Sequence, residues 1–339
     1  MKLGLRLAML LVAAFALAGC WGKGKPLSRY SGYKLPKSAY FVSGKGDYLF
    51  SAETGGKKVW RIGHPGQPDA IVKGVPDGSW LMALSEQRAV AGMAPAGACQ
   101  PKTRCLHRLF VLANGKPIFV PVQAAWSFGA YFDGNGGLYG QYIDADRKNC
   151  WHPFTWIHGE FRAVSIPPGY GDCGDFYNVT HSGFALLAVL PADDPRQTVF
   201  VFRDGNTTLT RNNRKGRFYI SSVNEAGTLT GDYWPNDPSP KNRVPAQWTD
   251  GNLTDVPEPA GRDCDAEQTW DNGAVLANCD GRLSVIERGQ VRNLMDIIQW
   301  PEGDAPATLE SAWNYNDHGD IVAAHLANKK TTAYLLLRN

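Results

Sequence analysis

The side chains able to do chemistry are spread thinly along this sequence. No G-x-S-x-G, H-E-x-x-H, Walker or kinase pattern occurs, and glycine runs such as Gly134 to Gly137 lack the strand-to-helix context of a phosphate loop. Asp144-Ala145-Asp146-Arg147-Lys148-Asn149 begins like a calcium loop but lacks the turn glycine and the closing Glu, so it reads as a solvated loop. Asp193, Asp194, Asp263 and Asp265 read the same way. His64, His107, His152, His158, His181, His318 and His325 show no ligand spacing. Of these, His158, His181 and His318 fall in or beside short turns and are expected as solvent-exposed turn residues. No catalytic set, metal site or cofactor fingerprint can be assembled from spacing. The aromatic residues Tyr142, Tyr170, Tyr233, Trp234 and Trp300 are the candidate binding residues, because Trp and Tyr near long loops anchor peptides, partner proteins or sugars. Trp151, next to Cys150, is expected to pack over a blade instead.

The elements that must carry these residues repeat. Ser221 to Val256 reads as strand, tight turn, strand, long loop, strand, tight turn, strand, with Asn224-Glu225-Ala226-Gly227 and Thr249-Asp250-Gly251 as the turns. Aligning other units on Gly227 gives Gly46, Arg88, Gly136, Gly183, Gly227, Gly273 and Gly319, spaced by roughly 42 to 48 residues, a propeller period. The turn ending the third strand then falls at Gly63, Gly115, Gly159, Gly205, Gly251, Gly289 and, by position, Asn339. Three residues before each stand Trp60, Leu112, Trp156, Phe202, Trp248, Ile286 and Leu336, all apolar, as a position facing the next blade requires. The expected fold is an all-β, seven-bladed β-propeller over 37–339. Its last blade lacks a strand, and Tyr30 to Leu35 is expected to supply it as the outer strand, removing an open edge.

Val223 to Gly231 followed by Gln247 to Val256, and again Tyr315 to Val322, resembles the HAF-type repeat of bacterial extracellular proteins. That resemblance implies an exported β-propeller and little about activity.

The first 19 residues have the form of an export signal: Lys2 and Arg6, then an apolar run from Leu7 to Leu17 too short to span a bilayer core of about 30 Å. Leu17-Ala18-Gly19-Cys20 resembles the lipobox of bacterial lipoproteins, which implies lipid attachment at Cys20 and cleavage before it. Trp21 in place of Asp resembles outer-membrane sorting. Residues 20–36 are then a lipidated tether that includes the closing strand. Removing the signal takes two basic residues and no acid, so 35 − 2 = 33 basic residues face 32 acids, and no nucleic-acid footprint is present.

Seven cysteines less the acylated Cys20 leave six, an even number that suits an oxidising compartment. Several pairings are open. Nearness favours Cys99 with Cys105, Cys150 with Cys173, and Cys264 with Cys279, and all six then lie on the face bearing the long loops. The first and third turns of each unit are short, which leaves the opposite face bare. Three functions fit. The leading expectation is a lipid-anchored binding or scaffolding module holding a protein or glycan partner at the cell outer membrane through its long-loop face. The alternative is a propeller-type hydrolase or lyase acting on envelope or imported polymers, with acids at the central mouth. A purely structural envelope lipoprotein is the third.

Overall fold

The computed structural model describes residues 30–339 except 37–38, 98–104, 125, 144–149, 171, 190–197, 210–213, 215, 236–242, 258–262, 317–318 and 328–329. Cys20, the signal sequence, Cys99, His318 and the Asp144 to Asn149 loop lie outside the described residues. Seven small sheets follow one another along the chain. Their inner strands are Ala39–Val42, Trp80–Leu84, Trp126–Phe132, Gly174–Val179, Arg217–Val223, Cys264–Thr269 and Ser311–Tyr315. They belong to blades 1 to 7 of a seven-bladed β-propeller. Among the described residues no helix is long and apolar enough to cross a membrane.

The turn after each inner strand explains the period. All seven residues aligned in sequence have positive φ, from 61° at Arg88 to 93° at Gly319. Each donates its backbone N–H to the carbonyl three residues earlier, at Ser43, Ser85, Asp133, Thr180, Asn224, Trp270 and Asn316. Except for Trp270, the side chain of that earlier residue also accepts the backbone N–H four residues on. A Ser, Thr, Asp or Asn at this place therefore closes the turn from inside. Arg88 tolerates its left-handed conformation while its guanidinium forks onto Asp47 of the blade 1 turn, at 2.9 and 2.8 Å. The later turns of blades 2 to 6 use Asn114-Gly115, His158-Gly159, Asp204-Gly205, Asp250-Gly251 and Arg288-Gly289, both residues at positive φ, the geometry of a two-residue hairpin. Blade 1 differs: Gly63 ends its third strand, and the turn follows at Gly66.

Trp60, Leu112, Trp156, Phe202, Ile286 and Leu336 are buried between neighbouring blades, as their register predicts, and Trp248 is half-buried. The ring closes as expected. Tyr30–Lys34 lies antiparallel against Lys330–Arg338, with Tyr30 opposite Arg338 and Lys34 opposite Tyr334. A further two-residue strand, Ile298–Gln299, then runs parallel along Tyr30 and Ser31, so blade 7 has five strands in order. Trp300 lies across Gly32 there, where no side chain would fit. Cys150–Cys173 and Cys264–Cys279 are disulfides, and Cys105 is disulfide-bonded too.

Candidate active site

Every inner strand carries a register shift, between Ala39 and Phe41, Leu81 and Ala83, Ser127 and Ala130, Phe176 and Asn178, Ile220 and Ser222, Ala266 and Gln268, and Ala312 and Asn314. A bulge leaves one residue out of the ladder and re-aims it. In blade 6 the residue so released is Glu267. It lines a cavity of about 310 Å³ in the central channel, together with Tyr177, Gln268 and the turn residues Glu86, Asp133 and His181. The cavity reaches from the middle of the inner strands to the mouth formed by the first turns.

At that mouth His181 Nδ1 stands 2.9 Å from Glu86 Oε1, joining blades 4 and 2. Two glycines make this contact geometrically accessible. A Cβ on Gly134, in the intervening blade 3, would come within 2.0 Å of the His181 ring, and one on Gly44 within 2.1 Å of the Glu86 carboxylate. The backbone of Gly134 donates to His181 O at 2.8 Å, and Gln87 Nε2 donates to Gly134 O at 2.8 Å. The three turns are thus tied together. Asp133 accepts the N–H groups of Asn135 and Gly137 at 2.9 and 2.7 Å; burial nonetheless raises its carboxyl above the usual range.

Glu267 is half-buried, and its carboxyl is raised by burial first and then by the neighbouring charges of Asp265 and Asp232. Asp232 is pushed up to about 6, chiefly by burial, although the Ala266 N–H donates to it at 3.1 Å. Arg243 faces the same group, 3.2 Å from Asp263 and paired with Asp265. A carboxyl whose hold on its proton is raised by burial, lining the same cavity as a histidine oriented by a second carboxylate, can take part in giving and taking protons. Metal chemistry finds less support: among the described residues the only converging donor group is Cys150, Asp172 and Cys173, and both its sulfurs are spent in the disulfide.

The aromatic residues singled out in the sequence are not brought together. Tyr142 packs its ring 5.4 Å from His152 and 6.1 Å from Phe154. Tyr170 rests on the core between blades 3 and 4. Tyr233 is 6% exposed, inside blade 5. Trp234 lies 5.2 Å from Tyr219, and Trp300 stands edge-on to Tyr334 at 5.3 Å. The indole N–H groups of Trp234 and Trp300 are buried without a partner among the described residues. The residues that sequence reasoning missed are Glu86, Glu267 and the role of His181, which it placed as an exposed turn residue. A register signal was available: Glu86 and His181 occupy the same place, one residue after the turn's first, in units 2 and 4.

Fold and site together define a seven-bladed propeller with an acid-lined channel. No protein-family model matches this sequence, and no curated protein sequence does. Solved structures do. Prolyl oligopeptidase B from Galerina marginata, bound to a 25mer macrocyclization substrate, is similar at 11% identity and a TM-score of 0.54, over 91% of this chain and 49% of that one. The acylaminoacyl peptidase of Pyrococcus horikoshii, uncomplexed, is similar at 11% identity and 0.53, over 91% and 51%. Oligogalacturonate lyase in complex with manganese is similar at 11% identity and 0.50, over 90% and 78%. The chain spans about half the length of the peptidases. At such identities the likeness shows the fold alone. The leading expectation is corrected at the site: the cavity opens among the short turns, not on the long-loop face, and the solved structures named above are peptidases and a lyase. The binding or scaffolding reading is set aside.

Proposed function

We propose that this chain is a hydrolase or lyase that cleaves a polymer by acid–base chemistry in the turn-face half of its central channel. The observation that carries this reading is the His181–Glu86 pair on the wall of the cavity that Glu267 enters from its bulge. Glu86 engages Nδ1 and orients the ring, and the imidazole is the group that exchanges a proton with the substrate. Glu267, whose buried carboxyl holds its proton more tightly than an exposed one, is the acid that gives a proton to the leaving oxygen or nitrogen as the bond to it breaks. In hydrolysis His181 takes a proton from water while the water oxygen bonds to the substrate. In elimination it takes a proton from a carbon beside a carboxyl group, and that C–H electron pair becomes the new double bond. Support from the neighbours is of a general kind. The lyase is matched over 78% of its length, so in that enzyme the propeller makes up most of the chain.

The lipoprotein export read from Leu17 to Cys20, anchoring at the outer membrane and kinship with the HAF-type repeat belong to the same proposal, which places the substrate in the envelope. The test is to incubate the purified protein with a panel of envelope glycans, imported polysaccharides and peptides. New reducing ends or amines report hydrolysis, and ultraviolet absorbance of unsaturated ends reports elimination. Cleavage should occur and should be lost in His181→Gln. Cleavage of nothing on the panel, or equal cleavage by that variant, would sink the proposal.

A further inference from the structure

We infer that the channel selects a substrate carrying a primary ammonium group near the bond it cleaves; this rests on the reading of the channel as the working site. The charge pattern of the mouth carries the inference. The second residue of the seven turns reads Gly44, Glu86, Gly134, His181, Glu225, Asp271 and Asp317, four acids and one histidine, while the basic residues of these turns are Lys45 at the third place of the first and Arg88 at the fourth place of the second, the latter paired with Asp47. Of the described ones, Glu86, His181, Glu225 and Asp271 lean back over the preceding blade. Glu225 accepts the Ser182 N–H with both oxygens at 3.0 Å, and Asp271 accepts the Glu225 N–H at 3.0 Å. Deeper in the channel stand Asp133 and Glu267, and no Lys or Arg lines the cavity among the described residues.

Gln268 lines the same cavity, is 1% exposed, and its Oε1 has no hydrogen-bond partner among the described residues. A buried acceptor left unmade is costly, so a bound donor gains more there than at the surface. An ammonium brings three donors, no acceptor and the opposite charge. A partly enclosed channel of one sign concentrates cations and repels anions. An oligogalacturonate, with a carboxylate on every ring, is thereby disfavoured.

The test measures binding to the whole protein by calorimetry with matched probes: a glucosamine trimer, its fully N-acetylated twin, trigalacturonate, and a tripeptide with a free or an acetylated N-terminus. At least one free-amine probe should bind about tenfold or more tighter than its acetylated twin, a difference of about 1.4 kcal/mol. The preference should shrink as salt rises and weaken in the double variant Glu225→Gln, Asp271→Asn, which removes charge from the mouth. Gln268→Leu, which removes the unpaired acceptor, should weaken the same probe. Whichever arm responds identifies the carrier, amino sugar or peptide. Equal binding of acetylated and free forms, tighter binding of trigalacturonate, or no binding of any amine would overturn the inference. These outcomes separate the two claims: amine selectivity without cleavage would remove the enzyme reading alone, and cleavage of an acidic polymer without amine selectivity would remove this inference alone.

Discussion

Glu86 and His181 are 95 residues apart in sequence and 2.9 Å apart at the channel mouth, and the space between them is kept by a glycine of a third blade. The pair is partly solvated, with side-chain exposures of 15% and 47%, so it adds little stability. Its value lies in orientation. His181→Gln and Glu86→Gln should each lower kcat by ~10²-fold or more, with melting temperatures close to the parent protein. Gly134→Val should do the same indirectly by displacing the ring. Circular dichroism melts and turnover on the substrate found above check this; a Gly134→Val protein that turns over normally would show that the ring position does not matter.

Asp232 supplies a pH test that needs no substrate. Its carboxyl stands at about 6 in the folded protein, against about 3.9 when unfolded. The folded state therefore binds the proton more tightly, and stability falls as pH rises through the window from about 4 to about 6. A shift of about two units corresponds to about 3 kcal/mol at 1.36 kcal/mol per unit. Asp232→Asn keeps an oxygen for the Ala266 N–H and removes the penalty. Urea unfolding should find this variant more stable than the parent at pH 7 and nearly equal to it at pH 4. A variant less stable at pH 7 would show that the Arg243 cluster holds Asp232 as an anion.

Arg88 stands where the other six turns have glycine, at φ 61°, and its guanidinium covers a buried Asp47 that also faces His64 at 3.1 Å. Arg88→Ala keeps the backbone strain and strips the carboxylate of its main partner, so it should cost on the order of 2 kcal/mol. Arg88→Gly relieves the strain and should cost less. Thermal melts of the two variants decide the order; Ala above Gly would mean that the conformation carries no strain.

Much of the architecture was legible because it is periodic. Gly46 to Gly319 mark a conformation that side chains resist, Trp60 to Leu336 mark an interface between blades, and Tyr30 to Leu35 had no other strand to pair with. Cys264 and Cys279 could be matched because they sit opposite each other on one hairpin. The site was not legible in the same way. Glu267 works through a bulge, which changes register without any signature at Ala266 or Gln268. Glu86 of blade 2 and His181 of blade 4 meet only because the turn of the intervening blade 3 carries Gly134 where a side chain would stand between them, a relation of curvature that spacing along the chain does not encode. The aromatic residues show the opposite case: Tyr233 and Trp300 lie near long loops in sequence yet pack inward, Tyr233 within blade 5 and Trp300 against Tyr334.

Closure of the ring rests on one contact in particular. Trp300 lies over Gly32 so tightly that a Cβ there would meet its ring carbons at 2.5 Å and Ile298 Cγ2 at 2.9 Å. This seats Ile298–Gln299 along the closing strand and covers its outer edge. Gly32→Val should overpack the contact and lower stability by about 1–3 kcal/mol. Trp300→Ala should also destabilise, since it empties a site packed against Tyr334. The double variant is the informative one. With the ring gone, the valine has room, so the two costs should not add, and the double variant should be more stable than the sum of the singles predicts. Urea denaturation of the four proteins closes this cycle. Additive costs would mean that the strand is held by its backbone ladder from Tyr30 to Lys34 alone and that Trp300 plays no part in closing the propeller.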